Sequence, residues 1–308
     1  MSSAPSPSIG VAVTAYHRTQ FLERALTSVA QGSELPARVV VVEDNPPYSS
    51  GTSELLDRLF PSVPHAAVNQ RFEPVGGLIA TALELCTTDV VAFLEDDDLF
   101  VPDKVRRLRE RFAASPEVGY VRNSFRGVDV QLEPIPMRRR VLQVPRGVVA
   151  ANPKAWDAAR IYGNCSSIAF RRAPALPYVP VLRELTASLD LGMFWLALRT
   201  DSTPYCEPTI LTRKVIHLDS SSWKPFIYGR QRQSLEFLRS RSRPGSPEEL
   251  FAATMSSRLP EVPAEPGGTP RPRDAGFRWL DRLQRRLPPR PASWLRRGSL
   301  MLVMAFMW

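Results

Sequence analysis

Apolar positions follow two different rhythms through the first hundred residues. Consecutive apolar runs at 9–13, 39–42 and 90–94 are short and largely β-branched, as expected of strands buried on both faces. Between them, Leu22, Ala25, Leu26 and Val29 repeat at i, i+3, i+4 and i+7, which predicts a helix over 21–30. Residues 53–60 and 78–85 predict further helices, the first with Ser53 as N-cap. The alternation βαβαβ implies a parallel sheet with right-handed crossovers, flanked by helices. Ligands bind at the carboxyl ends of such strands, so the polar residues that follow each apolar run are the place to look.

The second half is more mixed. Residues 102–113 predict a helix with Pro102 in its first turn, and strands are expected at 118–122, 141–149 and 168–170. Residues 185–198 form a strongly apolar helical stretch carrying Asp190. From 239 to 272, Ser, Pro, Gly and charge dominate, which predicts a linker with a weak helix at 248–256. Beyond it Phe277, Leu280, Leu283 and Leu287 recur at helical spacing, with Arg278, Arg282, Arg285 and Arg286 between them. This basic amphipathic segment, followed by the apolar 300–308, suits an anionic membrane surface or packing on the domain or on a second copy.

Charge placement narrows the function classes. The chain of 308 residues carries a net charge of +9, but nine Arg against two Asp between 271 and 297 account for most of it. The remainder is nearly neutral, which argues against a nucleic-acid binder. The three cysteines, Cys86, Cys165 and Cys206, show no metal-binding spacing and read as reduced thiols. The first eight residues lack the charged and apolar regions of a signal peptide, and no apolar run is long enough for a spanning helix. A cytoplasmic protein is expected, peripheral on the inner face of the membrane if the tail binds lipid.

The chemistry concentrates at strand ends. The third apolar run leads straight into Glu95, Asp96, Asp97 and Asp98. Four adjacent carboxylates repel one another, and hard oxygen ligands in this number suit Mg²⁺ or Mn²⁺ bridging to phosphate. Taken alone, the run also suits a solvated acidic turn. The ends of the first two strands offer Thr14, Tyr16 and Arg18, and then Glu43 and Asp44.

This set resembles glycosyltransferase family 2, enzymes of the GT-A fold. The resemblance rests on Thr14, Tyr16 and Arg18 after strand one, Glu43 and Asp44 after strand two, and an Asp-x-Asp-like run from Phe93 to Asp98. It continues through Pro102 and Lys104, the stretch from Tyr162 to Arg172, and the loop from Thr212 to His217 with Ser220 to Ser222. It covers about residues 9–223. It departs from the family pattern in its first acidic position, Glu95, and in lacking the family's Arg-Asn pair within 75–81. The resemblance implies a GT-A catalytic domain over 8–239, a linker over 240–273 and a C-terminal tail over 274–308. It further implies inverting transfer from a nucleotide-diphosphate sugar, with UDP as the expected nucleotide, to an acceptor hydroxyl, with a lipid-linked or cell-envelope glycan as the acceptor class the tail suggests.

By the same resemblance, Thr14, Tyr16 and Arg18 lie around the nucleotide, and Glu43 or Asp44 holds its base. Glu95 faces the ribose, and Asp97, Asp98 and His217 serve a Mn²⁺ or Mg²⁺ ion. Alternation along a strand puts Glu95 and Asp97 on one face. Asp96, grouped with the nucleotide contacts by its place in the run, then turns the other way. Arg213 and Lys214 are diphosphate partners, and Asp190 is the general base, with Glu184 in reserve. The competing reading of Asp190 is a first-turn carboxylate favoured by the helix dipole. Two other functions fit less well. A nucleotidyltransferase needs a glycine-rich loop after strand one, and 14–20 has no glycine. A catalytically silent nucleotide-sugar-binding or scaffold protein needs to have lost Asp97 or Asp190, and both are present.

Overall fold

A computed structural model describes residues 6–16, 19–48, 51–135, 147–159, 161–217 and 227–259. The first half runs β1 (Ile9–Tyr16), α1 (Thr19–Ala30), β2 (Arg38–Asp44), α2 (Thr52–Leu59), β3 (His65–Asn69), α3 (Gly77–Leu85), β4 (Val90–Glu95), β5 (Leu99–Phe100) and α4 (Lys104–Ala114). The second runs β6 (Val118–Val128), β7 (Gly147–Val148), α5 (Pro153–Ala159), β8 (Ile168–Arg171), α6 (Arg172–Ala175), α7 (Val179–Arg183), α8 (Leu189–Arg199), β9 (Thr203–Val215), α9 (Ile227–Ser240) and α10 (Pro247–Arg258). The strands form one mixed sheet in the order β3-β2-β1-β4-β8-β6-β9-β5, with β7 also on β9. The β3-β2-β1-β4 half is parallel, and β8 enters antiparallel between β4 and β6.

The valine runs form central strands because both faces of the sheet are covered. Val39 and Val41 pack with α1, α2 and α4, while Val40 and Val42 pack with α3 and α8 on the other side. Each such side chain contributes roughly 1.5–3 kcal/mol by leaving water. The parallel register brings Tyr16 level with Asp44, and Thr14 level with Glu95, so the polar strand ends share one edge. At the same edge, the first turn of α3 lies against α7 and the residues after it. Gly76 donates its N–H to Leu185 O at 2.8 Å, and a Cβ at Gly76 would sit 2.0 Å from Leu182 O. That approach leaves no room for a side chain at this position.

Several expectations shift. The N-cap position of α2 is Gly51, without a side-chain cap, and Ser53 lies inside the helix. Helix α4 starts at Lys104, two residues past Pro102. Most of the strand expected at 141–149 lies outside the described residues, as do the tail 274–308 and residues 260–273 of the expected linker. The weak helix expected at 248–256 is present as α10, and with α9 it packs onto the domain core. Leu235 and Leu238 of α9 and Phe251 and Ala252 of α10 are buried, and Phe251 stacks edge-on against Phe194 and Trp156 at 4.9 and 5.6 Å. Ser246 caps α10 by accepting the Glu249 N–H at 3.3 Å. Met255 and Leu259 pack against the same core, and buried Glu248 pairs with Arg243 at 2.8 Å.

Candidate active site

The acidic run is not a strand continuation. β4 ends at Glu95, and the Asp98 N–H donates back to Glu95 O at 3.1 Å, closing a turn over Asp96 and Asp97. Strand alternation therefore does not sort these residues. The turn gathers Glu95, Asp97 and Asp98, whose ligand oxygens lie within 4.8 Å of one another, while Asp96 is fully buried. Glu95 thus joins the group expected to hold a metal. His217 stands behind it, with Nε2 2.8 Å from Asp97 Oδ2.

Asp98 is the buried member. Its Oδ1 accepts the Val215 N–H at 2.9 Å, and its Oδ2 is buried without a hydrogen bond. Burial pushes its carboxyl up to about 6; nearby Lys214 works against that rise and Asp97 adds to it. Lys214 reaches in from β9, its ammonium 3.9 Å from Glu95 Oε2 and 4.0 Å from Asp98 Oδ2. Burial disfavours its charge, but Asp98, Glu95 and Asp97 outweigh burial and hold it above the ordinary lysine value. Arg213 is exposed on the opposite face of β9, as the pleat requires, so the structure separates it from the cluster.

Beneath the turn lies Lys104, fully buried at the start of α4. It donates to Ser166 O and, at 3.1 Å, to Thr212 Oγ1, and it sits 3.9 Å from the centre of the Phe100 ring. Burial drives its amine well below the ordinary lysine value, with Asp98 in opposition. Ser166 binds on both sides, since its hydroxyl accepts the Glu95 N–H at 2.9 Å. The short helical turn Cys165–Ser167 therefore pins the acidic turn to α4 and β9.

Asp190 enters from the first turn of α8, half-buried. Its Oδ1 accepts the Leu191 N–H at 2.9 Å and its Oδ2 the Asn164 N–H at 3.0 Å. Asn164 holds a left-handed backbone, φ 64°, and its side-chain Oδ1 accepts from Lys214 Nζ at 3.3 Å. One residue thus joins the carboxylate of α8 to the lysine beside the acidic turn. Asn164 was not singled out from the sequence, although a Gly-Asn pair before a strand is the turn signal that could have found it. Glu184 is exposed.

On the other side of the strand ends, a cleft of about 450 Å³ is walled by Tyr16, Asp44, Tyr48, Arg71, Thr186 and Arg230 among others. Asp44 forms its floor, accepting from the Phe72 N–H at 2.8 Å and the Tyr48 hydroxyl at 3.2 Å. Glu43 is fully buried below it and accepts from Asn45 Nδ2 at 3.1 Å. Thr14 is buried too, its carbonyl accepting the Asp96 N–H at 3.0 Å. Of the residues expected around the nucleotide, Tyr16 and Asp44 line this cleft, Thr14 and Glu43 do not, and Arg18 lies outside the described residues.

The sequence model of glycosyl transferase family 2 matches residues 10–172, more than half of the chain. The chain belongs to glycosyl transferase family 2. This family-2 chain is similar to an uncharacterized glycosyltransferase of Nostoc sp., at 28% identity over 113 residues, covering 36% of the chain and 34% of that relative. The chain thus spans about a third of that relative's length. In fold it is similar to S. aureus TarS 1-349, with a TM-score of 0.58 and 15% identity over 90% of this chain and 79% of that one. The same TarS segment in complex with UDP-GlcNAc gives a TM-score of 0.55 and 15% identity, over 75% and 66%. The fold of this family-2 member is accordingly GT-A, a mixed sheet flanked by helices. Its strand-end cleft and acidic turn lie mostly within the matched region, whereas Asp190, Lys214, His217, α9 and α10 lie beyond it.

Proposed function

We propose that this chain is an inverting glycosyltransferase that moves a sugar from a UDP-linked or other nucleotide-diphosphate donor to an acceptor hydroxyl. The observation that carries the reading is the joining of three groups: the acidic turn at the end of β4, the Lys214 ammonium, and the Asp190 carboxylate linked to it through Asn164. The TarS segment similar in fold binds UDP-GlcNAc, which supports a nucleotide sugar as donor.

In this reading the nucleoside enters the cleft above Asp44 and beside Tyr16, and the diphosphate lies toward Lys214. The buried, unbonded oxygen of Asp98 and the close oxygens of Glu95 and Asp97 fit a hard divalent cation, Mn²⁺ or Mg²⁺, with His217 orienting Asp97. Bound there, the ion supplies positive charge to the departing diphosphate. Asp190 accepts the proton of the acceptor hydroxyl as its oxygen attacks the anomeric carbon. The new carbon–oxygen bond forms as the bond to the diphosphate breaks, and the nucleoside diphosphate leaves with that electron pair. Main-chain N–H groups on both oxygens of Asp190 fix its orientation.

The catalytic domain in this reading runs from about residue 8 through α10. The Arg-rich residues beyond 259 serve as a membrane-directed tail, with a lipid-linked or cell-envelope glycan as acceptor. Among the described residues no helix is long and apolar enough to cross a membrane.

The test is a panel of nucleotide sugars incubated with and without Mn²⁺, on wild type, Asp97→Ala and Asp190→Asn. Metal-dependent consumption of a donor is expected for wild type. Asp97→Ala is expected to lose metal-dependent donor binding, and Asp190→Asn to retain binding while losing transfer. If no donor is bound or consumed in a metal-dependent way, the reading fails. For the tail, the full chain and a chain ending at residue 259 are sedimented with anionic vesicles; equal association of the two removes the membrane role.

A further inference from the structure

Lys214 approaches the acidic turn without closing on it. Its ammonium stands 3.9 Å from Glu95 Oε2 and 4.0 Å from Asp98 Oδ2, beyond hydrogen-bond range, while Asn164 Oδ1 holds it at 3.3 Å. The lysine is half-buried, so it keeps an open side, whereas Asp98 is fully enclosed and its Oδ2 receives no hydrogen bond. A tethered cation therefore faces a buried anion across a gap. That differs from an ordinary surface ion pair, in which the two groups meet and are screened together.

The electrostatics of this arrangement have a consequence. Three carboxylates within 4.8 Å repel one another, and Lys214 offsets part of that repulsion. A divalent cation entering the same turn meets the ammonium as a like charge a few ångströms away, in surroundings of low dielectric. A diphosphate arriving at the open side of the lysine reverses the sign of the encounter, because both cations then share its negative oxygens.

We propose that Lys214 is a built-in counter-ion that couples the metal to the diphosphate. It opposes a divalent ion at Glu95, Asp97 and Asp98 before the nucleotide arrives, and it pairs with the diphosphate afterwards. The proposal rests on the metal-dependent donor binding argued above and adds an order to it. The metal alone binds weakly, the nucleotide strengthens it, and by linkage the metal strengthens the nucleotide by the same factor.

The experiment titrates Mn²⁺, with and without UDP, into wild type, Lys214→Met and Lys214→Arg, following free Mn²⁺ by electron paramagnetic resonance. Thermal unfolding checks that each variant is folded. Without UDP, Lys214→Met is expected to bind Mn²⁺ about tenfold more tightly than wild type, the order expected for removing one partly screened like charge. It is also expected to bind UDP more weakly in the presence of Mn²⁺ and to lose most of the coupling, whereas Lys214→Arg behaves as wild type. A folded Lys214→Met whose Mn²⁺ affinity without UDP is unchanged or lower overturns the counter-ion role and leaves the metal reading standing. Absence of Mn²⁺ binding by wild type and variants alike, with UDP or without, removes the metal reading itself.

Discussion

Asn164 donates its main-chain N–H to Asp190 Oδ2 at 3.0 Å, across 26 residues of chain. The donation depends on a left-handed backbone, φ 64°, which asparagine tolerates and most residues do not. The side chain has separate duties, accepting from Lys214 and donating to Ser167 Oγ at 2.9 Å. Asn164→Gly keeps the backbone and removes the side chain, so it separates the two. It is expected to fold with stability within about 1 kcal/mol of wild type, since glycine adopts this conformation without steric cost. It is also expected to bind UDP severalfold more weakly because Lys214 is no longer tethered. Wild-type UDP affinity in a titration of Asn164→Gly would count against the tether.

The buried position of Asp98 makes a prediction about pH. Its folded-state pKa is raised to about 6, above the ordinary aspartate value near ~3.9 in the unfolded chain. Between those values the folded protein holds a proton that the unfolded chain has released. Stability from this group therefore falls as pH rises from about 4 to about 6, and stays lower above that. Asp98→Asn keeps an acceptor for the Val215 N–H and removes the titration. In the presence of a chelator, urea unfolding is expected to show the variant roughly 1–3 kcal/mol more stable than wild type at pH 7.5, with the gap closing toward pH 4. A variant less stable than wild type at pH 7.5 would contradict this.

His217 tests a different kind of support. Its ring stands 2.8 Å from Asp97 Oδ2 and packs against Phe21 with centroids 5.1 Å apart, so an imidazole held by Phe21 fixes the carboxylate. Partners of this kind are worth about 10–100-fold in metal affinity when removed. His217→Ala is accordingly expected to weaken Mn²⁺ binding by at least tenfold in the presence of UDP. Retained affinity would mean that the turn alone orients Asp97.

What was legible in the sequence follows from how local each signal is. β1, β2 and β4 announce themselves as apolar runs because both faces of the sheet are covered, and their polar ends mark the site edge. β3 does not, since His65–Asn69 is half-buried throughout and has no clear period. β9 does not either, because Pro204 and Pro208 interrupt a strand whose main partner, β6, lies some eighty residues earlier. The site divides in the same way. Asp44 and the acidic run are read from the ends of their own strands. The gathering of Glu95 with Asp97 and Asp98 depends on a turn. The approach of Lys214, and the burial of Lys104 against Ser166 and Thr212, depend on β9 passing beside residues 164–167, which no local pattern encodes.

The C-terminal helices put the expected domain boundary near residue 239 to a direct test. α10 reads as a weak helix within a linker because the segment is polar, yet Phe251 fills a space among Trp156, Tyr162 and Phe194, with ring centroids 4.9–5.7 Å away. At its far end Arg258 grips Asp157 through both nitrogens at 2.5 and 2.6 Å, and the Tyr162 hydroxyl donates to the same carboxylate at 2.5 Å. The ion pair is largely exposed and contributes little by itself, so the buried ring should dominate. Phe251→Ala is expected to cost about 3–5 kcal/mol in urea unfolding, whereas Arg258→Ala should cost about 1 kcal/mol or less. Because Tyr162 directly precedes Gly163 and Asn164, loss of α10 should also loosen the turn that holds Asp190 and Lys214. A chain ending at residue 239 is therefore expected to lose both cooperative unfolding and UDP binding, and a chain ending at residue 259 to keep both. A chain ending at 239 that unfolds cooperatively and binds UDP as the full chain does would restore the earlier boundary and make α10 an appendage.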